Sequence, residues 1–313
     1  MTAAPARPHV LLLVPKTHAA DLAELVDGWR GAGARVTAQS YVAGLPTVQS
    51  LVLQDGSLTA ALLVGPPARA PSTVLDAPFV TTRHGRRVPV AWLPATNAAG
   101  LRRFASCAAR THRRVPRSRA CKGVALLGQW QAQYLQVVER MASLMAPQAE
   151  GFRWTADVLL REDMVRALGS GLGLGIYVGH GRPVGWVGYH GLRSQHFDHF
   201  DGEPLGALVS LCCRTASRRR VGLSYAESLP LRGIAAASLG AVGDTLHTDN
   251  TRWALGLCDA LRAGAQTIGE LVVQGAPLSP KAVSSYRLLG DPLAPLGAAD
   301  HALLRARAVH RHA

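Results

Sequence analysis

Aromatic side chains are scarce in this chain: Phe, Trp and Tyr together make up 5% of its 313 residues. So few stacking platforms argue against a single-stranded nucleic-acid binder. Acidic residues are outnumbered, 20 Asp plus Glu against 34 Lys plus Arg, for a formal net charge of +14. Most of the positive charge is arginine in an Ala-, Gly- and Leu-rich background, which coding bias also produces. With no basic reading motif and no zinc-finger spacing, nucleic acid is not expected as a partner. Only five cysteines occur, Cys107, Cys121, Cys212, Cys213 and Cys258, an odd number with no framework spacing. That excludes a disulfide scaffold and points to a reducing, cytoplasmic setting. Long apolar runs are missing as well. The run near the N-terminus covers only Val10 to Val14 before Lys16, too short for a signal core or a membrane span. No internal repeat and no low-complexity segment is present.

What the chain does contain is a globular composition, 48% hydrophobic and 17% charged. Its first 110 residues alternate short apolar runs with helical spacing. His9–Val14, Ala34–Ser40, Ala60–Val64 and Val88–Leu93 read as strands. Asp21–Trp29, Val48–Leu53 and a stretch capped by Asn97 read as helices. This alternation predicts βαβ units and a mostly parallel sheet. Arg110–Lys122 is basic, contains Pro116 and lacks periodicity, so it reads as a solvated connection, or else a contact surface for an acidic partner. Alternation then resumes with a strand at Gly123–Leu127, helices at Gln131–Leu144 and Val158–Leu168, and a strand at Gly233–Ala237. Further helices are expected at Ser224–Leu229, Trp253–Ala263 and Thr267–Val273, and a terminal turn at Arg287–Pro295. The predicted organisation is an α/β sub-domain over 1–112, a second over 113–297, and a basic tail over 298–313.

Two of the predicted strands end in reactive side chains. Gly175-Ile176-Tyr177-Val178 runs into Gly179-His180-Gly181, and Leu208-Val209-Ser210-Leu211 runs into Cys212-Cys213. Open α/β sheets hold their sites at the carboxyl ends of their strands. A thiol facing an imidazole there is the minimal set for cysteine nucleophilic catalysis. Successive strand residues face opposite ways, so only one of the two cysteines can reach the groove. Cys213, one step further out, is the expected nucleophile, and Cys212 the packing residue. The N–H groups of Gly181 and of Cys213 are the expected oxyanion donors. The crowd of His190, His196, Asp198, His199 and Asp201 is a possible metal cluster, but its spacing defines no ligand pair on one element. It reads better as a polar rim.

These residues resemble a known family. Tyr177-Val178-Gly179-His180-Gly181 with Trp186 nearby is similar to the His motif of gingipain-type cysteine peptidases (family C25, clan CD). Leu208 to Thr215 is similar to the strand that carries the nucleophile, with Cys213 at its position and Cys212 replacing a small residue; 213 − 180 gives a separation of 33. Val88–Asn97 resembles a further segment of that family, with Ala91-Trp92 where Gly-Arg is common. Ser224–Leu229 resembles its F-x-E-x-L helix, and Leu288-Leu289-Gly290-Asp291-Pro292-Leu293 its C-terminal LLGDP motif. The resemblance spans about residues 85 to 295 and more weakly begins at residue 9. It implies a caspase/gingipain-like three-layer sandwich with two α/β sub-domains. It also implies a Cys213–His180 dyad that cuts peptide bonds through a thioester, with no cofactor and with a protein or peptide substrate. The chain is expected to be nearer a stand-alone intracellular catalytic core, selective at the residue before the cut (P1), with a basic residue favoured and a regulatory protein as a further candidate partner. Trp186, Asp198, Asp201, Arg214 and Asp244 are the candidate substrate contacts. Asp249, Arg182 and Arg193 are further candidates for the charge that selects P1. The alternative is a catalytically inactive caspase-like module that binds a partner.

Overall fold

The computed structural model describes residues 7–42, 44–45, 47–114, 122–146, 148–198, 200, 202–298 and 300–311. The strands are β1 His9–Pro15, β2 Arg35–Tyr41, β3 Ala60–Gly65, β4 Phe79–Thr81, β5 Arg87–Pro94, β6 Lys122–Gly128, β7 Ala149–Arg153, β8 Leu174–Val178, β9 Gly181–Arg182, β10 Gly185–Trp186, β11 Leu205–Leu211, β12 Ala235–Ala241 and β13 Tyr286–Gly290. The helices are α1 Ala23–Gly31, α2 Val48–Gln54, α3 Pro71–Val74, α4 Ala98–Arg113, α5 Ala132–Met145, α6 Arg161–Leu168, α7 Gly188–Gly191, α8 Tyr225–Leu231, α9 His247–Arg262, α10 Ile268–Gly275, α11 Pro280–Ser284 and α12 Asp300–Arg311. Short 3-10 turns occupy Lys16–His18, Ala20–Leu22 and Ser194–Phe197.

One sheet runs through the molecule in the order β2-β1-β3-β5-β13-β12-β11-β8-β6-β7, with β4 on the side of β5. It consists of two parallel blocks. Strands β1, β2, β3, β5 and β13 run one way. Strands β6, β7, β8, β11 and β12 run the other way. The blocks meet at the antiparallel pair β12–β13, where Leu239 lies opposite Leu288. The carboxyl ends of the two blocks therefore open on opposite edges.

Helices cover both faces, as expected for three layers. Alternation divides the side chains cleanly: Val10, Leu12 and Val14 join one core, and Leu11 and Leu13 another. The first core holds α1, α4, α5, α9 and α10 against the sheet through Trp29, Phe104, Met141, Trp253 and Leu271. On the opposite face, Met164 of α6, Tyr225 of α8 and Ala302 of α12 cover the second block. Asn97 caps α4 by accepting from the Gly100 N–H at 2.7 Å.

Several expectations need correction. Arg287–Pro295 is not a terminal turn, because Tyr286–Gly290 forms β13 at the centre of the sheet, between the blocks. The strand expected at Gly233–Ala237 lies later, because Gly233 sits at φ +74° in a turn after α8. The helix expected from Val158 starts at Arg161, since residues 155–159 form a turn closed by Leu159 N–H on the Thr155 carbonyl. Strands β4 and β7, at the margins of the sheet, have no counterpart in the sequence reading. The basic connection begins later than residue 110, because α4 continues to Arg113; residues 115–121, Cys121 among them, lie outside the described residues. The C-terminal stretch is helical, and Ala302 and Ala306 of α12 are buried. No helix among the described residues is long and apolar enough to cross a membrane.

Candidate active site

Register places His180 and Cys213 just past the ends of neighbouring strands. β8 pairs β11 in parallel with Val178 opposite Leu211, and each reactive residue stands two positions beyond that pair. Ile176 and Val178 face the first core, as do Val209 and Leu211. His180 and Cys213 continue those two rows past the end of the sheet, on neighbouring strands and the same face. Cys212 falls on the other row. With Leu208 it enters the opposite core and is fully buried. Burial pushes its thiol well above the ordinary cysteine range, and charge on Cys213 adds to that. Cys213 is only partly buried.

The chain turns sharply after Cys213. Arg214 adopts φ +61°, and its N–H donates to the Gly243 carbonyl at 3.0 Å. This turn carries the sulfur towards the loop after β12. There Thr245 surrounds it: the Thr245 N–H lies 3.4 Å from Sγ, its Oγ1 3.6 Å and its carbonyl oxygen 3.7 Å. Gly181 packs on the same strand end. A Cβ at this position would stand 2.4 Å from the Cys213 carbonyl oxygen and 2.5 Å from Cys212 Sγ, so only glycine fits.

The His180 backbone is fixed from three sides. Its N–H donates to Gln129 Oε1 at 2.8 Å. Its carbonyl accepts from the Val187 N–H at 3.0 Å and the Tyr177 hydroxyl at 3.1 Å. The imidazole is exposed at the groove, with Nε2 3.2 Å from the Tyr134 hydroxyl. Tyr134 lies in the first turn of α5, and His247 opens α9. Both helices cover the face that the dyad row follows, and both begin at this edge, so their positive dipole ends favour developing negative charge there.

The remaining candidates are not all at this site. Arg214 and Asp244 are: they pair at 2.5 Å on the turn and loop that flank Cys213. Trp186 is in the core, a correction to the expected substrate contact. It stacks on Tyr177 at 4.2 Å and donates to Ser210 Oγ at 2.9 Å, supporting the β9–β10 hairpin from beneath. Asp198 is at the opposite edge, ion-paired with Arg232 just before β12. Asp249 pairs with Arg252 on α9. Arg182, in β9, and Arg193, just before the Ser194–Phe197 turn, are exposed. Asp201 and His199 lie outside the described residues. Among those described, no group of three or more His, Cys, Asp or Glu side chains is arranged to hold a metal ion.

Sequence reasoning missed Gln129, Tyr134, Thr245 and His247. Gln129 directly follows β6, two residues past the strand expected at Gly123–Leu127, the same signal that marks His180. Thr245 and His247 follow β12, whose late end hid them.

Two motifs of the sequence prove to be joints. Glu227, fully buried, accepts from the Ser224 N–H and hydroxyl, from Trp92 Nε1 at 3.3 Å and from the Arg218 guanidinium at 2.6–3.1 Å. It thereby fixes the loop between Cys213 and α8. Asp291, also fully buried, accepts from Trp29 Nε1 at 2.9 Å and the Leu293 N–H at 2.8 Å and bonds His112 Nε2 at 2.7 Å. It ties β13 to α1 and α4.

Comparison with known proteins agrees with this geometry. The profile described as Peptidase family C25 matches residues 129–297, just over half of the chain. The solved structure of the Arg-specific cysteine proteinase gingipain R superposes with a TM-score of 0.74 at 16% identity, covering 93% of this chain and 78% of that one. A complex of the pro- and mature domains of RgpB from Porphyromonas gingivalis gives 0.69 at 15% identity, covering 93% and 80%. The separase–securin complex of Saccharomyces cerevisiae gives 0.51 at 14% identity, covering 75% of this chain and 15% of that one. At these identities the likeness is one of fold: a caspase-like α/β sandwich. No curated protein matches the chain in sequence.

Proposed function

The chain belongs to peptidase family C25, the gingipain-type cysteine endopeptidases of clan CD, and from that premise we propose how its site works. Cys213 is the nucleophile and His180 its base. The observation that carries this reading is the shared row: two residues past the Val178–Leu211 pair, on one face, with the Cys213 sulfur held at Thr245. His180 takes the thiol proton as sulfur attacks the scissile carbonyl. The tetrahedral oxyanion is held by the N–H groups of Gly181 and Cys213, whose backbones pack on one another. Collapse of this intermediate transfers the proton to the departing amine and leaves a thioester, which water then hydrolyses.

The enzyme is selective at P1 and favours a basic residue. The Asp244 carboxylate, largely exposed beside Cys213 although shared with Arg214, supports this. The Arg specificity named for gingipain R points the same way. Cys107, Cys212, Cys213 and Cys258 are all free thiols, which supports a cytoplasmic setting. The pro-domain complex of RgpB and the securin complex of separase support a regulatory role in which a protein partner covers the groove until activity is required.

A positional P1 peptide library, run with wild type and Cys213→Ala, tests the reading. Cleavage concentrated after Arg or Lys and lost in the variant is expected. Cleavage that survives Cys213→Ala removes the nucleophile assignment. A preference for Asp or for apolar P1 residues removes the specificity.

A further inference from the structure

Among the described residues no carboxylate hydrogen-bonds the His180 ring, yet the ring is not free. We propose that Tyr134 is the positioning residue of the dyad: its neutral phenol holds His180 Nε2 and leaves Nδ1 as the nitrogen that serves Cys213. The proposal rests on the dyad assigned above.

Four observations place Tyr134 in this role. Its hydroxyl is 3.2 Å from Nε2, and the two rings meet edge to face, 5.4 Å between centroids at 82°. Tyr134 is itself held, 4% exposed, with its N–H on the Gln131 carbonyl at 2.9 Å. His247 of α9 packs edge-on against the same ring at 5.5 Å and 70°, so two helix starts clamp the phenol between them. Finally, charge on Cys213 adds to burial in raising the Tyr134 pKa, so the phenol that touches His180 also lies within electrostatic reach of the thiol.

The chemistry suits the geometry. The His180 backbone is already fixed through Gln129, Val187 and Tyr177, so its remaining freedom is rotation of the side chain. A bond at Nε2 removes that freedom. The phenol oxygen accepts the Nε2–H both in the neutral ring and in the imidazolium formed after Cys213 gives up its proton. The proton moves only between sulfur, Nδ1 and the leaving amine, and Nε2–H stays on Tyr134 throughout. Burial raises the phenol pKa, with Cys213 contributing, so Tyr134 remains an uncharged partner at working pH. It therefore orients the ring without the negative charge that a carboxylate would bring.

The test uses the full chain, with a fluorogenic peptide chosen from the P1 library and Tyr134→Phe, which keeps the ring and removes the oxygen. The expected result is a kcat lowered about 10- to 100-fold, by analogy with the loss of an orienting partner of a metal-ligating histidine. KM should stay within about twofold and thermal unfolding should be unchanged. The acid limb of the kcat/KM profile should move to lower pH, because the imidazolium loses an acceptor. Alkylation of Cys213 by iodoacetamide gives a second readout that needs no substrate, and it should slow in parallel. The double variant Tyr134→Phe/His180→Ala should be no slower than His180→Ala alone, since Tyr134 acts through His180. An unchanged kcat and pH profile in Tyr134→Phe, with His180→Ala inactive, overturns the role of Tyr134 and leaves the dyad standing. Full activity in His180→Ala overturns both. A further loss in the double variant also overturns the proposal, because Tyr134 would then act elsewhere.

Discussion

The two blocks of the sheet are built alike and end differently. Each is a run of parallel strands crossed by helices, and each presents its carboxyl ends at an edge. The ends of the first block are closed by Pro15, by Gly65-Pro66-Pro67 and by Pro94. Proline has no N–H to offer an oxyanion and fixes its own backbone. The ends of the second block carry Gln129, Gly179-His180-Gly181 and Cys212-Cys213. Because β12 and β13 run antiparallel, these two sets of ends face opposite ways. The proline-closed edge touches the loop behind Cys213 through Arg218, which donates to the Pro67 carbonyl. The fold thus supplies two sites of the same geometric kind, and side chains make one of them chemical. The first block contributes support: Trp92 on Glu227, and Trp29 with His112 on Asp291.

The comparison breaks first at the nucleophile. Cys213→Ala should lower kcat/KM by about 10³-fold or more, as loss of a catalytic nucleophile does, whereas Cys212→Ala should leave cleavage measurable. Labelling sharpens the distinction. Since burial raises the Cys212 pKa, that thiol stays protonated and inert as pH rises from neutral to mildly alkaline. Intact mass after a peptidyl chloromethyl ketone at pH 8 should show one adduct, absent in Cys213→Ala. An adduct that persists in Cys213→Ala and disappears in Cys212→Ala would reverse the register of the two cysteines. Next comes Gly181→Ala. The new methyl meets the Cys213 carbonyl and Cys212 Sγ, neither of which can yield, so β8 and β11 must part at the dyad. A displacement of this size costs about 10²-fold in kcat, and steady-state kinetics on folded variant measures it. Normal kinetics would mean that the dyad tolerates a spacing the structure denies it.

Much of this was legible in the sequence, and what escaped did so for physical reasons. His180 and Cys213 stood out because short apolar strands end abruptly in them, and a two-residue period assigned the buried cysteine to the other face. Tyr134 could not be read this way. It looks like one more residue of an amphipathic helix, and its reach to His180 depends on how α5 packs on the sheet. Trp186 misled in the opposite direction, since nearness in sequence to His180 suggested the groove, while its ring is driven into the core against Tyr177. β13 reads as a turn in the sequence because it is five residues long, contains a buried arginine and runs into Gly290-Asp291-Pro292. Arg287 is tolerated there because its guanidinium donates to the Ser284 and Tyr286 carbonyls at 2.6 and 2.8 Å.

The smaller effects concern the supporting block and should appear in stability rather than in rate. Asp291→Ala strips a partner from His112, Trp29 and the Leu293 N–H in a fully buried site. A loss of about 3 kcal/mol in denaturant unfolding is expected, with kcat/KM close to wild type in the fraction that remains folded. Trp92→Phe is milder. It removes one 3.3 Å hydrogen bond to Glu227 and leaves a small void beside Gly65. Glu227 keeps Arg218 and the Ser224 cap, so the loop behind Cys213 keeps its anchor. The expected cost is about 1–2 kcal/mol from the lost bond and the void together, with kcat/KM within about twofold. A drop beyond about fivefold, measured on variant that unfolds at the same temperature as wild type, would place the first block inside the catalytic machinery and end the division of labour drawn from the two edges.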